Sequence, residues 1–178
     1  MLVVFIIAIV SVIIDQVTKL ILNGFFINPF APIIEGTLSQ GESVTVIDKT
    51  LSFTYVLNNG AAFGILQNQR VFFLISTVIV CTVGIIALNY FKKRHWTLVL
   101  SSGLVLGGAI GNMIDRVVLG SVRDFIDATF VKTLTGYAFP VFNVADICVC
   151  VGVAILAYYI LFIHDKIYKV EKDAKDNG

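Results

Sequence analysis

The chain has 178 residues, of which 57% are hydrophobic and only 14% charged, with a formal net charge of +1. A mean hydropathy of +0.90 is far above what a soluble domain of this length can hide in one core, so a soluble globular fold is excluded and an integral membrane protein is expected. The small net charge, with no basic tract, gives no reason to expect a nucleic-acid partner.

Met1 to Leu22 is apolar except for Ser11, Asp15, Gln16, Thr18 and Lys19. At about 1.5 Å per residue the stretch is long enough for one bilayer crossing, set at residues 2–22. A secretory signal peptide is the competing reading, weakened by the missing basic n-region and small-residue cleavage site. Asp15 and Lys19 are four apart and share a helix face, so they form an ion pair expected to face the bundle interior rather than lipid.

Residues 24–68 form the long segment able to build a non-membrane structure. Its first half, with Phe25, Phe26, Phe30, Ile33 and Ile34, is too short and broken to span and is placed against the membrane surface. Residues 43–48 and 51–57 are β-branched and aromatic, alternate with period two, and are joined by Asp48-Lys49-Thr50; they predict a hairpin within a small β-rich segment at 43–58. Asn58-Asn59-Gly60-Ala61-Ala62-Phe63-Gly64 follows, as either a plain tight turn or a binding loop.

A second crossing is predicted at 71–91, followed by the basic cluster Lys92-Lys93-Arg94-His95, which the positive-inside rule puts in the cytoplasm. The third, at 97–119, carries Gly103, Gly107 and Gly111 at four-residue spacing, a face that lets a neighbouring helix approach closely. Residues 120–139 are too polar to cross and return the chain as an outer loop. The fourth crossing, at 141–163, precedes a tail with Lys166, Lys169, Lys172 and Lys175, again suited to the cytoplasm. The expected architecture is thus a mainly α, single-domain bundle of four transmembrane helices, both termini cytoplasmic, with the β-rich segment and the 120–139 loop outside. Cys81, Cys148 and Cys150 read as small core residues, and His95 and His164 as solvated flanks.

Rise per residue puts Asp15, Asn112, Arg116, Asn143 and Asp146 in the outer third of the bilayer, with Gly108, Asn112 and Arg116 in one i, i+4 stripe. Asp124 lies just past the third helix and can bend back over the same spot. Two carboxylates, Asp124 and Asp146, can therefore approach where membrane meets water, near Arg116 and Lys19. Close carboxylates in a poorly solvated place cannot both ionise comfortably, so one keeps a proton while the other acts as a base. That is the requirement for general acid–base hydrolysis of an amide. No metal or cofactor is expected, since there is no His or Cys cluster, and neither His lies at the outer level to serve a Ser or Cys nucleophile. Spacing leaves Asp15, Asp115 and Asp127 available as alternatives; Asp115 and Arg116 could be a structural pair closing the helix, and Asp127 a solvated loop charge.

At these residues the chain resembles the bacterial lipoprotein signal peptidases, the type II signal peptidases of the inner membrane. The resemblance lies in Asp15-Gln16-Val17-Thr18-Lys19, Asn58 to Phe63, Gly107 to Arg116 with Val122 to Asp127, and Phe139 to Asp146, in the family's order. It implies an aspartic endopeptidase that removes signal peptides from prolipoproteins whose cleavage-site cysteine carries a diacylglyceryl group. By the resemblance, Asp124 and Asp146 are the catalytic pair, while Asp15, Lys19, Asn58, Gly60, Gly108, Asn112, Arg116 and Asn143 line or support the site. The implied partners are those prolipoproteins and the lipid bilayer, and the protein is expected to be a monomer with its site at the outer face of the inner membrane. The 24–41 segment looks longer than the family usually carries and gets no role. Arg123 stands where an apolar residue is common, next to Asp124; it either depresses that aspartate's pKa or faces water, and facing water is favoured as the usual fate of a loop charge. The rival is a small proton-coupled transporter, which predicts polar residues along a path through the whole membrane; a non-catalytic scaffold would explain the glycine face but not the two carboxylates.

Overall fold

Glycine decides how the helices meet. In the computed structural model, which describes residues 1–23, 40–61, 65–90 and 95–164, α3 (Trp96–Val118) is the central helix, flanked by α1 (Leu2–Asn23) and α5 (Val144–Phe162). A Cβ on Gly103 would meet the Ile7 side chain and the Val4 carbonyl; one on Gly107 would meet Ser11 and the Ala8 backbone. On the α5 side, a Cβ on Gly108 would meet the Ala145 carbonyl and Val149, and one on Gly152 the Ser101 carbonyl. Lipid offers no hydrophobic drive for helices to associate, so this backbone-to-backbone approach supplies the packing.

Three helices, α1, α3 and α5, are long and apolar enough to cross a membrane. A further apolar helix, α2 (Arg70–Tyr90), packs on α3. Ile9, Ile13 and Ile21 of α1 and Val78, Ile79 and Ile86 of α2 are each more than half exposed, as befits side chains solvated by acyl chains. At the end of the bundle holding the start of α1 and the close of α5, Val4, Ala8, Leu88, Leu98, Leu106 and Tyr159 form a buried cluster. His95 is not a solvated flank: its ring accepts from Thr97 N to cap α3 and stacks 6.4 Å from Tyr159.

At the other end sits a three-stranded antiparallel sheet of order β1-β2-β3, with β1 at Ser43–Ile47, β2 at Leu51–Asn58 and β3 at Val122–Asp127. The predicted hairpin is present, with Val44 opposite Phe53 and Lys49 in the left-handed region at its turn (φ 54°). The third strand is a correction: the expected outer loop pairs with β2, setting Asp124 opposite Val56 and Arg123 opposite Leu57, and then forms a short helix, α4 (Thr129–Thr135). Beneath the sheet Tyr55 and Phe125 are buried, and Phe53 meets Phe125 edge-on at 6.1 Å. The last helix starts at Val144 rather than 141 because Phe142 is held by β3: its carbonyl accepts from Phe125 N and Ile126 N at 3.1 and 2.8 Å, and its N–H donates to the Ile126 carbonyl. The segment expected against the membrane surface (24–39), Lys92 to Arg94, and the Lys-bearing tail lie outside the described residues.

Candidate active site

One asparagine joins the two aspartates singled out above. Asn143 precedes α5 and forms a capping box: its Oδ1 accepts from Asp146 N at 2.9 Å, while Asp146 Oδ2 accepts from Asn143 N at 3.1 Å. The same side chain turns its Nδ2 to Asp124 Oδ1 at 2.6 Å. Helix initiation therefore orients Asp146 and holds Asp124 in one step.

The remaining carboxylate oxygens are also engaged. Asn112 Nδ2 donates to Asp146 Oδ1 at 2.8 Å, and Asn58 Nδ2 donates to Asp124 Oδ2 at 2.9 Å. Each amide is itself oriented. Asn58 Oδ1 accepts from Gly60 N, which leaves Asn58 Nδ2 for the carboxylate. Asn112 Oδ1 accepts from Lys19 Nζ at 3.0 Å and from Asn143 Nδ2 at 3.0 Å, which turns Asn112 Nδ2 to Asp146.

Asp124 is 2% exposed. Burial pushes its carboxyl up to about 7, helped by the negative charge of Asp146; the Asn58 and Asn143 bonds and Lys19 pull the other way and do not prevail. Burial thus favours the protonated form of Asp124 up to near neutral pH.

Behind the pair lies a second layer of charge. Asp15 and Lys19 are both fully buried, as expected of a pair facing the bundle interior, with Lys19 Nζ 2.8 Å from Asp15 Oδ2 and 3.3 Å from Asp115 Oδ2. Asp15 Oδ1 accepts from Ala145 N at 2.9 Å, so α1 satisfies one of the orphan donors in the first turn of α5. Gly111 makes room for it: a Cβ there would meet the Asp15 carboxylate. Arg116 leaves Asp115 aside, donating from Nη2 to the Gly60 carbonyl at 3.1 Å with its guanidinium 4.4 Å over the Phe73 ring of α2.

The water-facing expectation for Arg123 is overturned. Arg123 is 2% exposed and forks onto Asp115, with Nη2 to Oδ1 at 2.8 Å and Nε to Oδ2 at 3.3 Å, while its backbone N–H reaches Oδ2 at 2.9 Å. Strand pairing, not loop geometry, sets its direction, and a buried carboxylate is waiting there. Gln16 also carries more than its sequence position signalled. It donates to Asp15, Asp115 and the Gly111 carbonyl and accepts from Arg123 Nη2 at 3.0 Å. The available signal was a further polar residue inside an apolar crossing, adjoining Asp15. Asp127 is half-buried, accepting from Thr54 Oγ1 at 3.2 Å, rather than a free loop charge.

The aspartates open onto a cavity of about 520 Å³ with Arg116 and Asn112 at its polar end. Val141, Ile147, Cys150 and Val151 form an apolar wall, so Cys150 lines the cavity rather than a core. A second cavity of about 460 Å³ runs along the end of β2, from Val56 to Asn59, and shares Asn58, Asp124 and residues 139–141 with the first. Of the residues expected at the site, Asn58, Gly60, Asn112, Arg116, Asp124 and Asp146 line the larger cavity; Asp15, Lys19 and Asn143 stand behind it. Gly108 packs against α5, beside Ala145 and Val149.

Residues 7–162 match the family model of signal peptidase (SPase) II. The lipoprotein signal peptidase of Symbiobacterium thermophilum is 38% identical over 165 residues, spanning 90% of this chain and 95% of that protein. That of Staphylococcus aureus strain MRSA252 is 40% identical over 173 residues, spanning 95% and 93%. A bacterial membrane enzyme solved by the in meso method at 1.9 Å superposes with a TM-score of 0.73 at 36% identity, covering 90% of this chain and 93% of the other. A second, at 2.3 Å, gives 0.69 at 39% identity, covering 89% and 87%. With sequence and fold agreeing along nearly its whole length, the chain belongs to the signal peptidase II family of bacterial membrane proteases.

Proposed function

We propose that the protein is an aspartic endopeptidase that cleaves the signal peptide from diacylglyceryl-modified prolipoproteins, with Asp124 and Asp146 as its catalytic dyad. The observation that carries this reading is the single asparagine, Asn143, bonded to both carboxylates directly behind the larger cavity that both of them line. In the step, Asp146 takes a proton from a water as its oxygen attacks the scissile carbonyl carbon. Asp124 donates its own proton to the carbonyl oxygen, giving a neutral tetrahedral diol. Collapse returns a proton to Asp124, the C–N bond breaks, and the proton on Asp146 goes to the leaving nitrogen. The half-buried Arg116 guanidinium steadies the negative charge of the pair throughout.

The apolar wall of the larger cavity suits the acyl chains, and the second cavity, along the half-buried end of β2, suits an extended peptide. In this reading α2 is a fourth crossing, both termini are cytoplasmic, the chain is one domain acting as a monomer, and the site faces outward. The basic residues Lys92, Lys93 and Arg94 and the lysines of the tail support that orientation. A transporter is disfavoured because the charged residues described on α1, α3 and α5 gather at one end of the bundle instead of marking a path through it. Purified protein incubated with one prolipoprotein, with and without its diacylglyceryl group, tests the proposal. Only the modified form is expected to be processed. Equal processing of both would sink the lipid requirement, and processing of neither would contradict the peptidase reading.

A further inference from the structure

The dyad rests on a chain of contacts that begins at the residue whose place was least expected. From Arg123 the contacts run to Asp115, from Asp115 to Lys19, from Lys19 to the Asn112 carbonyl, and from the Asn112 amide to Asp146. Asp115 Oδ1 faces Arg123 Nη2 at 2.8 Å, whereas Lys19 is 3.3 Å from Oδ2 and 2.8 Å from Asp15. Arg123 is therefore the principal partner of Asp115, and Lys19 is left to serve Asp15 and Asn112. Arg123 also adjoins Asp124 in β3, and its own carbonyl lies 3.3 Å from Asn143 Nδ2.

Charge counting leads to the same residue. Asp15, Asp115 and Asp146 are balanced by Lys19, Arg116 and Arg123, so a dyad holding one proton on Asp124 leaves the described cluster neutral. The hydroxyl of Tyr55, pushed by burial up to about 12, adds no charge near neutral pH. Without Arg123 the cluster carries one uncompensated negative charge in a place with little water, and Asp115 competes with Asn112 for Lys19.

We propose that Arg123 is a positioning residue for the dyad: by occupying Asp115 it keeps Lys19 on Asn112, and Asn112 on Asp146, while supplying the cation that lets the pair hold a single proton. The proposal rests on the aspartic dyad set out above and adds a residue that touches no substrate.

Among the described residues, the charged groups that act on Asp124 are Lys19 from α1, Arg116 from α3 and Asp146 from α5, with Asn58 and Asn143 bonded to its carboxylate and Arg123, which reaches Asp115, beside it in β3. Arg123→Gln removes one positive charge from that set, so the protonated carboxyl is favoured and the alkaline limb of the kcat profile moves to higher pH. Displacing Asn112 lowers kcat by roughly 10- to 100-fold, with KM within about twofold because no substrate contact is lost. Asp115→Asn removes a negative charge and moves the limb to lower pH. The double variant Asp115→Asn/Arg123→Gln restores neutrality and returns the limb to the wild-type position.

The measurement is kcat and KM against pH for the full-length wild type and these variants, on one lipid-modified prolipoprotein, with Tm recorded for each. A folded Arg123→Gln whose limb stays in place, or whose kcat is that of the wild type, overturns the proposal. Should that variant not fold, the double variant decides, since it buries no unpaired charge: a wild-type limb supports the proposal and a displaced one overturns it. A wild type that cleaves nothing counts against the peptidase reading itself.

Discussion

Asp124 is pulled in two directions, and burial wins. Its carboxyl titrates at about 7 in the folded protein against an ordinary value of 3.8. Below about pH 4 the folded and unfolded chains are both protonated there, and Asp124 contributes no pH dependence. As pH rises from about 4 to about 7 the unfolded chain has released its proton and the folded one has not, so stability falls, by at most about 1.4 kcal/mol per pH unit. Asp124→Asn does not titrate, and its Tm should lose that slope whatever offset its amide introduces against the two donor asparagines. Parallel Tm curves for wild type and variant across this window would contradict the assignment. That Asp124 and Asp146 come together was expected from their places along the chain, because ionisable groups at and beside apolar crossings are costly and few. Arg123 was not: its direction depends on a strand register that no local pattern encodes, and on Asp115, eight residues earlier, already being buried.

Among the elements, the helices were the most readable and β3 the least. A run of twenty or so apolar residues has one stable outcome in lipid, whereas Val122-Arg123-Asp124-Phe125-Ile126-Asp127 lacks period-two alternation and reads as a polar loop. It becomes a strand because β2 offers a free edge and because its three charged residues find partners on α3, on β2 and at the N-cap of α5. The late start of α5 has the same origin, since Phe142 is drawn into the sheet. The glycine face was legible, with Gly103 and Gly107 against α1, and Gly108 is the contact with α5. Gly108→Ala sets a methyl group against the Ala145 carbonyl, which is backbone and cannot step aside. We expect a loss of about 1–3 kcal/mol and, because α3 and α5 carry Asn112 and Asp146, a fall in kcat of roughly 10- to 100-fold. Gly84→Ala on α2 is the contrast: its Cβ would sit 4.0 Å from Leu106, an ordinary contact, and stability should hold within about 0.5 kcal/mol or improve. Equal losses in the two variants, by thermal unfolding, would refute the packing account.

For the molecule as a whole, apolar surface and buried charge are two sides of one design. Side chains facing lipid make the bundle at home in a membrane, and α3, pressed between α1 and α5 by glycine, gathers four acids and three bases at and behind one partly open cavity. Composition was enough to place the protein in a membrane. The convergence of Asp15, Asn112, Arg116, Asn143 and Asp146 could be anticipated from depth along helices, while the asparagine links that turn these depths into a site needed three-dimensional contacts. The central claim is that Asp124 and Asp146 perform the hydrolysis together. Its most direct test is cleavage of a diacylglyceryl-modified prolipoprotein by purified Asp124→Asn and Asp146→Asn proteins whose folding has been checked by thermal unfolding. Both variants are expected to fold and to leave the substrate intact; full cleavage by either one would contradict the dyad.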